Sequence, residues 1–122
     1  MRSEKLAVYG TLRRGSDNKG VVENTTLVYP GHTRFPAVIY NEKGKGTIVE
    51  VLDVTKEDLN TYDMYEGVKS GMYRRVRTNV KMDDGGKERA WLYVAGDLLL
   101  ANETVFEVIE GGDWNKRQDR NI

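Results

Sequence analysis

Val8-Tyr9-Gly10-Thr11-Leu12-Arg13-Arg14-Gly15 is the stretch on which the reading of this chain turns. The apolar run Leu6-Ala7-Val8-Tyr9 reads as a strand, and Gly10 ends it. A glycine at a strand end permits a sharp turn, a positive φ and a close approach of backbone to ligand. Consecutive backbone N–H groups in such a turn can form a nest for an anion, such as a substrate or side-chain carboxylate. Taken alone, the pattern fits a plain strand-turn as well. The chain has no Gly-x-Gly-x-x-Gly and no Walker pattern, so the turn implies neither a dinucleotide nor a nucleoside triphosphate.

Working outward, 122 residues suit one domain spanning 1–122 with one modest core. Hydrophobic residues make up 39% and charged residues 31%, an ordinary globular balance. The 19 basic and 19 acidic residues give no net charge. A dedicated nucleic-acid binder needs a basic face to collect phosphates, so none is expected. Without cysteine there is no disulfide, thiolate zinc site or cysteine nucleophile. His32 is the only histidine and reads as a surface or packed loop residue. The acidic residues show no metal-ligand spacing, so neither metal nor cofactor is expected. Met1-Arg2-Ser3-Glu4-Lys5 leads into a strand rather than a signal-peptide core. No apolar stretch approaches the roughly 18 residues of a membrane span. The expectation is a cytoplasmic protein with no membrane association.

The rest of the chain alternates strand and turn signals. Ser16 to Gly20 is turn-like, and Val21 to Asn24 reads as a short helix or irregular loop. Leu27-Val28-Tyr29 is a short strand closed by Pro30-Gly31. Phe35 to Tyr40 reads as an edge strand or extended loop, because Pro36 cannot donate to a ladder. After the turn Asn41–Gly46, the run Thr47 to Leu52 is a strand covered on both faces. Over 55–66 the period changes to a helical one. Thr55 is a suitable N-cap, Asp58 completes a capping-box-like start, and Gly67 is the natural residue beyond the end. Leu59, Tyr62, Tyr65 and Glu66 recur at helical spacing, with Asp58, Asn60 and Asp63 toward water. Glu66 lies in the last turn, where the negative end of the helix disfavours a carboxylate. It is either simply solvated or held there for function. Tyr73 to Met82 and Glu88 to Val94 alternate with period 2 around Asp83-Asp84-Gly85-Gly86, which predicts a hairpin. Arg75 and Arg77 on one strand and Trp91 and Tyr93 on the other could suggest RNA stacking. Arginine stems packed over aromatic rings account for the pattern more simply in a neutral chain. Residues 97–110 read as strand-like or as a short helix after Asn102. Trp114 is expected to fold back onto the domain, and 115–122 to form a flexible polar tail.

In combination, these segments resemble the gamma-glutamylcyclotransferase-like family, which includes small proteins of the avirulence-induced-gene-2 type. The resembling blocks run in family order. They are Val8 to Gly15 with Asn18, then Gly46 and Ile48-Val49-Glu50-Val51, then Tyr62-Asp63-Met64-Tyr65-Glu66-Gly67-Val68. Tyr73-Arg74-Arg75, Trp91-Leu92-Tyr93-Val94 and Gly112-Asp113-Trp114 complete the series. The segment Glu66 to Tyr73 is similar to the loop that carries the catalytic glutamate of the animal cyclotransferases.

The resemblance implies an α+β fold, a compact barrel-like mixed sheet of about six strands flanked by short helices. It also implies a pocket between the first turn and the end of the helix. Tyr9, Gly10, Thr11 and Leu12 would bind the gamma-glutamyl part of a small substrate, and Glu66 would be the acid-base catalyst. The implied reaction is intramolecular aminolysis, giving 5-oxoproline and a free amine or amino acid without a cofactor. A monomer or weak homodimer is expected. A non-catalytic binding or regulatory protein on the same fold shares every one of these features. A peptide- or protein-interaction module using sheet edges is a third reading.

Overall fold

The computed structural model describes residues 3–31, 33 and 35–117. Five strands close a barrel: β1 (Glu4–Val8), β2 (Lys19–Val22), β5 (Thr47–Val54), β6 (Tyr73–Met82) and β7 (Lys87–Ala95), in the order β1-β5-β2-β6-β7. All the neighbours are antiparallel except at the seam, where β1 runs parallel to β7 with Leu6 opposite Trp91. A second, antiparallel sheet has the order β4-β3-β8, from β3 (Thr25–Pro30), β4 (Ala37–Tyr40) and β8 (Phe106–Val108). Two helices complete the domain, α1 (Lys56–Tyr65) and α2 (Asp97–Asn102). No helix among the described residues is long and apolar enough to cross a membrane. The mixed sheet with short helices is the expected α+β class, and the described residues form eight strands where about six were implied, divided between two sheets.

Side-chain alternation in β1 explains why Leu6 to Tyr9 is apolar without a break. Ala7 and Tyr9 face the barrel interior, with Val49, Val51, Val80 and Leu92. Leu6 and Val8 face outward, where Leu59 of α1 and Tyr93 cover them. The expected β6–β7 hairpin forms, pairing from Tyr73 opposite Ala95 to Lys81 opposite Lys87. On its outer surface the guanidinium carbons of Arg75 and Arg77 each lie 4.3 Å from the Trp91 ring centroid. The basic and aromatic faces of the hairpin thus satisfy each other.

Several local expectations are corrected. Residues Val21 and Val22 belong to β2, because the barrel needs a strand between β5 and β6 that local propensity does not announce. Of the two readings of 97–110, the strand-like one holds at Phe106–Val108, whereas the helix lies before Asn102 and not after it. Tertiary bonds decide it, with Leu98 N–H donating to Gly71 O and β8 pairing with β3. Tyr65, expected on the packed face of α1, is exposed, whereas Asp63, expected in water, is half-buried and bonded. Pro36 directly precedes β4, an edge strand as anticipated. Trp114 is buried 5.5 Å from Tyr29 between ring centroids. Residues 115–117, expected to lie in a flexible tail, are instead packed: Trp114–Lys116 forms a 3-10 turn and Arg117 lies over the Trp114 ring. His32 and residues 118–122 fall outside the described residues.

Candidate active site

The turn after β1 is built from below. Arg13 N–H donates to Gly10 O at 3.0 Å and closes the turn. Beneath it lies Glu50 of β5, with no accessible surface. Its Oε1 accepts the backbone N–H groups of Arg14 and Ser16 at 2.8 and 3.1 Å. Its Oε2 accepts Arg13 Nε at 2.8 Å, and Arg13 Nη1 continues to Asp113 Oδ1 at 2.7 Å. Burial alone would push the Glu50 carboxyl up, but these donors hold it below the ordinary carboxylate range. Asn18 adds two bonds to the Val51 backbone. The loop is therefore fastened behind, and Gly10, Thr11 and Leu12 are left in front. Among the described residues no acceptor meets the N–H groups of those three.

Gly10 corrects one expectation. It is not among the glycines at positive φ. What favours glycine is space: a Cβ there would lie 3.1 Å from Pro36 Cγ, so the proline ring would have to give by a few tenths of an ångström.

Glu66 reaches the same place from α1. The helix starts at a full capping box, with Thr55 Oγ1 accepting Asp58 N–H and Asp58 Oδ2 accepting Thr55 N–H, both at 3.0 Å. Near its other end Asp63 takes a two-pronged bond from Arg75, at 2.8 and 3.0 Å, and the Tyr93 hydroxyl at 2.7 Å. Here too burial opposes the charge, and Arg75 with Tyr93 keeps the carboxyl low. This clamp fixes the end of α1 against the hairpin. Glu66 is the C-cap, its N–H bonded to Tyr62 O at 2.8 Å, and Gly67 at φ +64° ends the helix.

A cavity of about 400 Å³ lies between these two supports, lined by Tyr9, Gly10, Thr11, Leu12 and Glu66. The five residues singled out from sequence thus border one space. Its floor is made of Tyr9 with Tyr73 and Tyr93, the last two not among the site residues singled out from sequence. Tyr9 donates to Tyr93 O at 2.9 Å and Tyr73 to Pro36 O at 2.8 Å. Burial raises all three phenols, and nearby Glu66 adds to each. They stay neutral across the physiological range. Burial also raises the Glu66 carboxyl. No donor among the described residues meets that carboxyl. Among the described residues no cluster of three His, Asp or Glu could hold a metal ion.

Pro30, Thr33, Phe35, Pro36, Met72 and Leu99 complete the wall. Sequence reasoning did not bring these into the site. Phe35 and Pro36 come from the segment entering an edge strand, whose approach to Gly10 only the fold reveals.

Comparison with known proteins agrees with this architecture. The sequence profile of the family described as "Gamma-glutamyl cyclotransferase, AIG2-like" matches residues 6–116. A protein of Methanocaldococcus jannaschii, provisionally named a gamma-glutamylcyclotransferase, is 30% identical over 121 residues, covering 91% of this chain and 95% of its own. The crystal structure of a mouse AIG2-like protein superposes with a TM-score of 0.68 at 23% identity, over 98% of this chain and 100% of that one. An uncharacterized protein of Pyrococcus horikoshii gives a TM-score of 0.65 at 24% identity, over 93% and 91% of the two chains. By profile and by relative, the chain belongs to the AIG2-like gamma-glutamyl cyclotransferase family.

Proposed function

We propose that the protein is a gamma-glutamyl cyclotransferase, converting a gamma-glutamyl amide to 5-oxoproline and a free amine with Glu66 as acid and base. One observation carries this reading: a half-buried carboxyl and a turn of N–H groups, neither bonded among the described residues, face one cavity. The free donors of Gly10, Thr11 and Leu12 suit the alpha-carboxylate of the glutamyl group. Holding that end fixes the rotamer in which the alpha-amine reaches its own gamma-carbonyl, so the two reactants meet as one molecule. The amine arrives as ammonium and passes one proton to the Glu66 carboxylate. Its nitrogen then attacks the gamma-carbon and closes a five-membered ring. As the ring nitrogen becomes a lactam N–H it sheds a second proton. The bond to the distal nitrogen breaks, that nitrogen takes up both protons, and Glu66 ends as a carboxylate. Water is neither consumed nor released. Burial places the Glu66 carboxyl nearer the working pH than an exposed glutamate, which favours proton exchange in both directions.

The test is release of 5-oxoproline from a panel of gamma-glutamyl amides by wild type and Glu66→Gln. The variant keeps size and hydrogen bonding and loses the proton acceptor. Turnover should fall by about 10²-fold or more, with substrate affinity changing far less. The acid limb of the wild-type pH profile should be missing from the residual rate. Glu66→Asp should also be slow, because it withdraws the carboxylate by one methylene. A folded Glu66→Gln turning over at the wild-type rate removes Glu66 from the mechanism. Binding without turnover in wild type would make the protein a binding member of the family.

A further inference from the structure

Resting on the cyclisation just proposed, we infer that the cavity mouth selects an aromatic or bulky apolar amine, one that bears no carboxylate, as the leaving group. The glutamyl half is accounted for by the Gly10–Leu12 donors and Glu66. The remaining wall is different in kind. Leu12, Pro36, Met72 and Leu99 give it an apolar surface. At its rim two large aromatic side chains stand in water, Phe35 at 70% exposure and Tyr65 at 84%. A lone exposed aromatic residue is ordinary, but two bordering one cavity form a surface that a ligand can cover. Tyr65 immediately precedes Glu66 in the chain. Both line the cavity, so a group departing from the nitrogen that Glu66 protonates leaves into a space that Tyr65 borders. An aromatic substituent gains by offset or edge contact with such rings.

The charges point the same way. Glu66 is the acidic group on the wall, and the described lining residues include neither lysine nor arginine. Of the described arginines nearby, Arg13 is engaged by Glu50 and Asp113 and Arg75 by Asp63. A departing amino acid would carry its own carboxylate into this space, near Glu66 and with no cation among the described lining residues to meet it. A simple amine brings no such charge.

Three substrates separate these effects: gamma-glutamyl ethylamide, gamma-glutamyl phenethylamide and gamma-glutamylphenylalanine. The second differs from the first by a ring, and from the third by lacking a carboxylate. 5-Oxoproline release should give kcat/KM for the phenethylamide about tenfold above the ethylamide, and similarly above gamma-glutamylphenylalanine. In Tyr65→Ala and in Phe35→Ala the phenethyl-to-ethyl ratio should fall toward one. Both side chains are exposed, so these variants should keep the fold, and the ratio cancels any change common to both substrates. Equal rates for the two amides overturn the inference while leaving the cyclisation in place. So does a preference for gamma-glutamylphenylalanine. A ratio unmoved in both alanine variants overturns the assignment to these rings. Release from none of the three, nor from any other gamma-glutamyl amide, removes the reaction and the inference with it.

Discussion

Glu50→Gln tests whether the binding turn is held from behind. The wild-type carboxylate satisfies three donors without any contact with water: Arg14 N–H, Ser16 N–H and Arg13 Nε. A glutamine has one acceptor oxygen. If that oxygen keeps the two backbone donors, its NH₂ meets Arg13 Nε donor to donor. If it turns round, the backbone donors are orphaned. Removing one partner of a buried pair costs about 3–5 kcal/mol. Arg13 retains Asp113 at 2.7 Å, so the low end applies, about 3 kcal/mol. A domain of this size is stable by about 5–15 kcal/mol, so the variant should fold with its melting temperature lowered by about 10 °C. The assay is urea unfolding at several pH values. The Glu50 carboxyl is held low in the folded state. Its contribution is therefore fully present above the unfolded glutamate value of about 4.3. It is lost as pH falls through the folded value, so the two proteins should converge in acid. An Arg13→Gln, Glu50→Gln double variant should lose at least about 1 kcal/mol less than the sum of the singles. A Glu50→Gln protein within about 0.5 kcal/mol of wild type at neutral pH would refute the reasoning.

Three further outcomes follow from single contacts. Gly10→Val should fold but push side-chain carbon into Pro36, only 3.1 Å from the first added atom; calorimetric affinity for a gamma-glutamyl ligand should drop about tenfold or more. Gly112→Ala should destabilise by more than about 3 kcal/mol in urea titrations, since φ is +65° and a Cβ would sit 2.1 Å from Gly46 O. Glu66→Gln should be inactive yet more stable than wild type at neutral pH, by up to about 1 kcal/mol. The Glu66 carboxyl is raised by burial, so the wild-type disadvantage is absent below about pH 4.3 and appears as pH rises through the folded value. Melting curves at the two extremes would check the sign.

Much of this was legible in the sequence where local chemistry and tertiary packing agree. Thr55 and Asp58 make the capping box that their spacing announces, and Gly67 ends the helix that Glu66 caps. The hairpin follows from alternation around the Asp83–Gly86 turn. The candidate site was legible in part, because its two supports are contiguous motifs, residues 9–12 and Glu66. Its other walls depend on distant pairings. Nothing near Val21 marks a strand except the ladder edges of β5 and β6 waiting on either side. Nothing at Asp63 foretells Arg75 and Tyr93, which reach it from the neighbouring hairpin. Gly10 had the right residue for the wrong reason: glycine is favoured by a neighbour 26 positions away and not by its own dihedral angles.

The parallel seam of the barrel has a consequence for how the molecule comes into being. β1 is made first, yet its partner β7 lies far along the chain, with Leu6 set against Trp91. The Tyr9 hydroxyl likewise waits for the carbonyl of Tyr93, 84 positions later. Joining ends so far apart carries a loop-closure penalty that local contacts do not repay, so closure belongs late in folding. During synthesis the first strand must remain unsealed until the hairpin has emerged. The floor of the cavity spans that seam, and the capacity to bind should therefore appear abruptly, with the last act of folding, rather than grow as the chain lengthens.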